Sequence, residues 1–328
     1  MKTTELGRSG IQTSILSFGA AGIGNLFREV TENEAQEALS YSFAGGVRYF
    51  DTAPHYGLGL SERRVGQFLK HQKRSEIVVS TKVGRLIREN PNFDDGQDDQ
   101  GFAVSNKLHR VLDYSRDAVL RSIEESLERL GLNSIDIVFV HDPDEFEKEA
   151  MEGAFPALEE LRRQGVIRSY GAGMNQSAML SRFAANTDLD VVMCAGRFSL
   201  LEQPALADLL PTAIRRNVSV VAAGVFNSGI LATDNPSSSS HYNYAPAPAQ
   251  IVDKAQRLAR ACRDAGYSLA QVAAQFPLLH PAIKVVCLGA RNGEQAQRNV
   301  GLFEPVVPRA FYVSLAEQGL VDTAVFDY

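Results

Sequence analysis

The chain has 328 residues, 45% hydrophobic and 22% charged, with a net charge of −6. That composition builds a sizeable globular core, and the acidic balance argues against nucleic acid or an anionic membrane as main partner. Three cysteines (Cys194, Cys262, Cys287) stand apart in apolar contexts with neither disulfide-framework nor metal-ligand spacing, as suits a reducing cytoplasm.

Residues 1–7 carry no apolar signal core, and no run approaches a membrane span, so a cytoplasmic protein is expected. A first strand is predicted at 15–18. The glycines after it, Gly19-Ala20-Ala21-Gly22-Ile23-Gly24, do not complete a G-x-G-x-x-G register, and helix signals begin only at Thr31, which excludes a dinucleotide-binding Rossmann turn. Thr31-Glu32-Asn33-Glu34 is a capping box opening a helix that stops at Gly45-Gly46.

Further strands are predicted at 47–50, 77–81, 135–140, 167–171, 191–194, 218–222 and 284–288. They are near-continuous Val/Ile runs, the pattern of a parallel sheet covered on both faces. Ser115 starts a helix whose Val119, Leu120, Ile123, Leu127 and Leu130 share a stripe ending at Gly131, and residues 155–164 end at Gly165 in the same way. Eight strands alternating with helices predict a single (β/α)8 barrel over residues 1–328. Two connections, 84–113 and 227–249, far exceed the usual length. Both follow strands (the third and the seventh), so both belong at the C-terminal face, where lid or substrate contacts are expected.

Asp51, Lys82 and His141 close the second, third and fourth of these runs, and Tyr56 follows in Phe50-Asp51-Thr52-Ala53-Pro54-His55-Tyr56-Gly57. A lysine ending an apolar strand needs a carboxylate partner if buried. A phenol beside an ammonium becomes a usable acid or base, the carboxylate keeps the ammonium charged, and a histidine orients a substrate oxygen. The six histidines are scattered, and no metal site is expected.

These residues, with Ser61-Glu62, Ser80-Thr81-Lys82-Val83-Gly84, Ser122-Ile123-Glu124-Glu125-Ser126-Leu127-Glu128-Arg129-Leu130, His141-Asp142-Pro143 and Leu288-Gly289-Ala290 with Asn299, make a chain that resembles the aldo-keto reductase family over nearly its full length. The resemblance implies Asp51, Tyr56, Lys82 and His141 as the catalytic set, with Tyr56 as acid or base. It implies a nicotinamide dinucleotide held by Asn175, by Phe226-Asn227-Ser228-Gly229 and by Ala290, Arg291, Gln295 and Asn299. Ala195 and Ala223 stand where the family often has Gln and a stacking Tyr, leaving the ring to be packed by groups such as Phe198 or Phe226. Gly289 and Gln295 replace cations used against a 2′-phosphate, favouring NAD over NADP.

The insertion ending at Asp113-Tyr114-Ser115 resembles a branch of sugar 1-dehydrogenases and a pyridoxal 4-dehydrogenase. There an anomeric or hemiacetal hydroxyl is oxidised to a lactone, with Tyr56 as tyrosinate accepting the proton in the field of Lys82. The expected substrate is therefore a small molecule, an aldose or pyridoxal. An NADPH-dependent carbonyl reductase and a non-catalytic regulatory subunit on the same barrel are the alternatives. Nothing in the sequence fixes an oligomeric state.

Overall fold

The computed structural model describes all 328 residues. Eight parallel strands close into a barrel in chain order: β1 (Leu16–Gly19), β2 (Tyr49–Asp51), β3 (Val78–Val83), β4 (Ile137–His141), β5 (Ser169–Met174), β6 (Val191–Ala195), β7 (Ser219–Ala223) and β8 (Ile283–Gly289). Helices on the outside cover them, so every strand is buried on both faces, which is why the strands read as unbroken apolar runs.

The helix boundaries follow the capping chemistry. Thr31 and Glu34 form the reciprocal capping box of helix Glu32–Ala44. Ser115 caps helix Arg116–Leu130, and Gly131 ends it at φ 61°, the left-handed conformation a helix stop demands.

Two features differ from the expectations above. An antiparallel hairpin, Thr3–Leu6 with Ile11–Ser14, precedes the barrel and closes its lower end. Its Leu6 and Ile11 join the inner cluster of Tyr49, Ile137, Phe139 and Val191. Four-residue strands with only two deeply apolar positions carry too little signal to announce this plug. Secondly, 84–113 is not an open loop: Arg85–Glu89 pairs with Leu108–Leu112 as a hairpin standing on the C-terminal rim. The long segment after β7 likewise holds a turn at Asn227–Ala232 and a short ribbon of His241–Tyr242 with Ala245–Pro246.

Beneath the rim a buried ion pair welds three elements. Glu62 on helix Leu60–Leu69 accepts from Thr81 Oγ1 of β3 at 2.7 Å and from Arg129 Nε of the next helix at 2.5 Å. Glu62 is fully buried, so removing it takes the acceptor from the buried Thr81 hydroxyl and leaves Arg129 only the more distant carboxylate of Glu125 at 3.8 Å. Glu62→Ala is expected to cost about 3–5 kcal/mol, read as a lowered urea midpoint with an unchanged slope.

Candidate active site

Side chains alternate along a strand, so register decides which residues share the barrel interior. Asp51 lies opposite Ser80, and Lys82 is two residues further along β3. Lys82 in turn lies opposite Phe139, and His141 is two further along β4. The last inward positions of β2, β3 and β4 are thus Asp51, Lys82 and His141. On β5, β6, β7, β8 and β1 the residues facing the same space are Gly173, Ala195, Ala223, Gly289 and Gly19. One half of the upper barrel is filled by large polar groups and the other is nearly bare. The result is a cleft of about 880 Å³.

Asp51 and Lys82 are 2% exposed each. Lys82 Nζ donates to Asp51 Oδ1 at 2.9 Å, to Oδ2 at 2.7 Å and to the Thr52 carbonyl at 2.9 Å, which uses all three of its protons. Ser80 Oγ donates to Asp51 Oδ1 at 2.6 Å. Burial acts to discharge the ammonium, but Asp51 overrides it and the Lys82 pKa is held above its ordinary value. The ammonium lies 4.7 Å from the centre of the Tyr56 ring, and Tyr56 meets His141 edge-on at 5.9 Å.

Tyr56 owes its place to a close backbone approach. Gly57 sits at φ 62°, and a Cβ on it would fall 2.2 Å from the Gly24 carbonyl oxygen. Gly24 therefore packs directly against the Tyr56 loop. Desolvation raises the Tyr56 pKa, Lys82 pulls it down, and desolvation wins.

His141 is kept neutral by burial and by the cations Lys82 and Arg85. Tyr114 anchors it by donating to its carbonyl at 2.7 Å. Sequence reasoning missed two neighbours, His55 and Arg85. His55 packs against Tyr56, His141 and Phe102, and burial with Arg85 and Arg110 drives its pKa down to about 2. Phe102, from the insertion, stacks on Tyr56 at 6.1 Å, and Arg85 enters the cleft wall. Reading the hairpin as two short strands with alternating side chains is the signal that could have found Arg85.

Of the residues expected near a dinucleotide, Asn175, Ala290, Arg291 and Gln295 line the cleft with the four central residues. Phe226, Asn227, Ser228 and Gly229 lie off its wall: Phe226 packs on the core, Asn227 is buried, and Ser228 Oγ accepts from the Tyr244 amide at 3.0 Å. Asn299 donates to the Gly289 carbonyl at 2.9 Å, bracing the strand end. Neither aromatic named for ring packing reaches the cleft, since Phe198 stacks on Phe276 in the core at 5.3 Å. Ala195 and Ala223, paired in register, leave that wall flat.

The aldo/keto reductase family model matches residues 15–317. The chain is 42% identical to D-threo-aldose 1-dehydrogenase of a Pseudomonas species, covering 96% of this chain and 97% of the relative. It is 38% identical to pyridoxal 4-dehydrogenase of Microbacterium luteolum, again over 96% and 97%. Among solved structures, an aldo-keto reductase of Bacillus halodurans in its holo form superposes with a TM-score of 0.78 at 25% identity, covering 100% of this chain and 98% of that one.

The neutral histidines carry a pH consequence. An unfolded histidine gains a proton below pH about 6.5, whereas folded His55 and His141 do not, so stability is lost as pH falls below that value. Each contributes a loss of about 1.4 kcal/mol per pH unit in that window. His55→Phe should therefore reduce the loss between pH 7.5 and 5.0 by about 2 kcal/mol, measured from urea curves at the two pH values.

Proposed function

The chain belongs to the aldo/keto reductase family of oxidoreductases, and on that premise we propose that it oxidises the hemiacetal hydroxyl of a cyclic aldose to the lactone, with NAD as hydride acceptor. The observation carrying this reading is the buried Lys82–Asp51 pair under the Tyr56 ring, with His141 against the ring's edge. The relatedness to an aldose 1-dehydrogenase and a pyridoxal 4-dehydrogenase supports a hydroxyl on a ring as the reacting group.

The cleft suits an extended dinucleotide. It runs from Tyr56 to Arg291, whose guanidinium has no carboxylate partner and can pair with a phosphate. Asn175, Ala290, Arg291 and Gln295 would hold it, with Asn299 supporting Gly289. Gly289 is exposed and offers no cation, and Gln295 is taken up by the Arg291 amide at 2.9 Å, so a 2′-phosphate gains little there. That favours NAD.

When bound, oxidised nicotinamide supplies a hydride acceptor and one positive charge. Tyr56 Oη, as tyrosinate, takes the hydroxyl proton as the C–H bond of the same carbon breaks. Lys82, locked to Asp51, keeps a fixed positive charge beside the Tyr56 phenolate before it accepts the proton, without itself moving a proton. Neutral His141 offers a hydrogen bond to the substrate oxygen and adds no competing charge. Flat Ala195 and Ala223 leave room for a ring stacked along that wall.

A second reading is carbonyl reduction, the reverse transfer, in which the Tyr56 phenol donates the proton. The two directions differ in pH response: oxidation should quicken as pH rises, reduction should not. A panel of L-fucose, L-galactose, D-arabinose and pyridoxal with NAD and with NADP, followed by absorbance of the reduced cofactor, decides between them. Turnover of an aldose with NAD is expected, and turnover of none of the four would sink the hemiacetal reading.

Tyr56→Phe removes the proton carrier while keeping the ring. Turnover should fall by about 10² to 10⁴-fold, with NAD affinity by calorimetry within a few-fold of the parent. Retained turnover would remove Tyr56 from the mechanism.

A further inference from the structure

The substrate end of the cleft is built from matched charges. Lys82 is paired with Asp51. Arg85, at the foot of the rim hairpin, donates from Nη2 to Asp142 Oδ2 at 3.0 Å. Arg110, on the returning strand, is 3% exposed, is paired with equally buried Asp98, and gives its other nitrogen to the His55 carbonyl at 2.8 Å. The register sets Arg85 opposite Leu112 and Ile87 opposite Arg110, so both arginines emerge on one face of the hairpin. That face is the one turned to the site, because Arg88, on the alternate face, is tied to Glu125 of helix Arg116–Leu130 at 2.9 Å.

Asp144 adds a further carboxylate to the lining, at an exposed position and without an ion-pair partner. Three cations line the cleft: Lys82, Arg85 and Arg291. Only Arg291, at the far end, lacks a carboxylate; it donates instead to the Leu26 carbonyl at 3.3 Å. Charge is therefore segregated along one groove: a free cation lies at the dinucleotide end, and a balanced to slightly acidic field surrounds the reacting end.

We infer that the substrate chamber admits uncharged, hydroxyl-bearing molecules and turns away their phosphorylated or carboxylated counterparts, with the Arg85–Asp142 pair as the specificity determinant. The choice of ring rests on the hemiacetal reading above; the charge preference does not. An incoming anion would meet like charge at Asp142 and Asp144. Arg85 is already matched by Asp142, so the anion meets no unbalanced positive charge at this end of the cleft. A neutral hydroxyl escapes this conflict. It can donate to Asp142 while the ion pair stays whole.

Two matched pairs test this: D-arabinose against D-arabinose 5-phosphate in oxidation, and glyceraldehyde against glyceraldehyde 3-phosphate in reduction. For the parent, kcat/KM for the neutral member is expected to exceed that for the anion by about a hundredfold or more. Asp142→Asn frees Arg85, and the ratio should fall by about tenfold or more, chiefly through a lower KM for the anion. The double variant Arg85→Gln/Asp142→Asn removes both charges and should restore the preference for the neutral member. Should Asp142→Asn fail to fold, Asp144→Asn at its exposed position should shift the ratio in the same direction by a smaller factor. A parent that handles both members equally, or a ratio unmoved in every soluble variant, overturns the inference. If aldoses are not oxidised at all, the hemiacetal reading fails while the glyceraldehyde pair still decides the charge preference; calorimetric binding of the same pairs separates the two outcomes without turnover.

Discussion

The buried pair of Lys82 and Asp51 is the interaction on which the upper half of the barrel depends. An ammonium and a carboxylate taken out of water recover their hydration only through close, well-aimed contacts. Here both carboxylate oxygens, the Thr52 carbonyl and Ser80 Oγ supply them. Because the partners sit on neighbouring strands, the pair also fixes the height at which β2 and β3 end. Tyr56 then has a defined floor beneath its ring, and the ammonium under that ring cannot drift from it.

A similar logic recurs around the site. Glu62 and Arg129 brace β3 from behind, and Ser61 Oγ donates to the Ala20 carbonyl at 2.9 Å. Arg64 gives Nη1 to the Ile23 carbonyl at 2.7 Å and Nη2 to the Val30 carbonyl at 2.7 Å. These contacts hold the glycine-rich turn after β1 close to the Tyr56 loop. The rim hairpin is fastened by Arg85 and Arg88 to opposite sides of its base, and carries Phe102 over Tyr56. Fixed dipoles and charges at a dry site need such bracing, since stabilisation of a developing charge is lost when the surrounding groups must reorganise.

The cleft itself is a consequence of residue size. Gly19, Gly173, Ala195, Ala223 and Gly289 occupy the last inward positions of five strands, where bulky side chains would otherwise fill the barrel top. Read singly, Ala195 and Ala223 look like departures from a family pattern. Read as a layer, they are the smooth side of a groove whose other side is charged.

Much of this was legible in the chain. Unbroken Val/Ile runs, capping boxes and stop glycines determine eight covered strands, because each is a local preference for burial or backbone geometry. A lysine, an aspartate and a histidine at the ends of consecutive runs determine a polar cluster, since parallel strands in a barrel bring their ends to one rim. Tertiary structure alone decided the rest. Which glycines face inward depends on register, and that Phe226 turns to the core while Arg291 turns to the cleft depends on how loops fold back. The pairing of Arg85 with Asp142 and of Arg110 with Asp98 is likewise invisible in one dimension. Charge matching is set by distance through space, and distance is what a sequence does not carry.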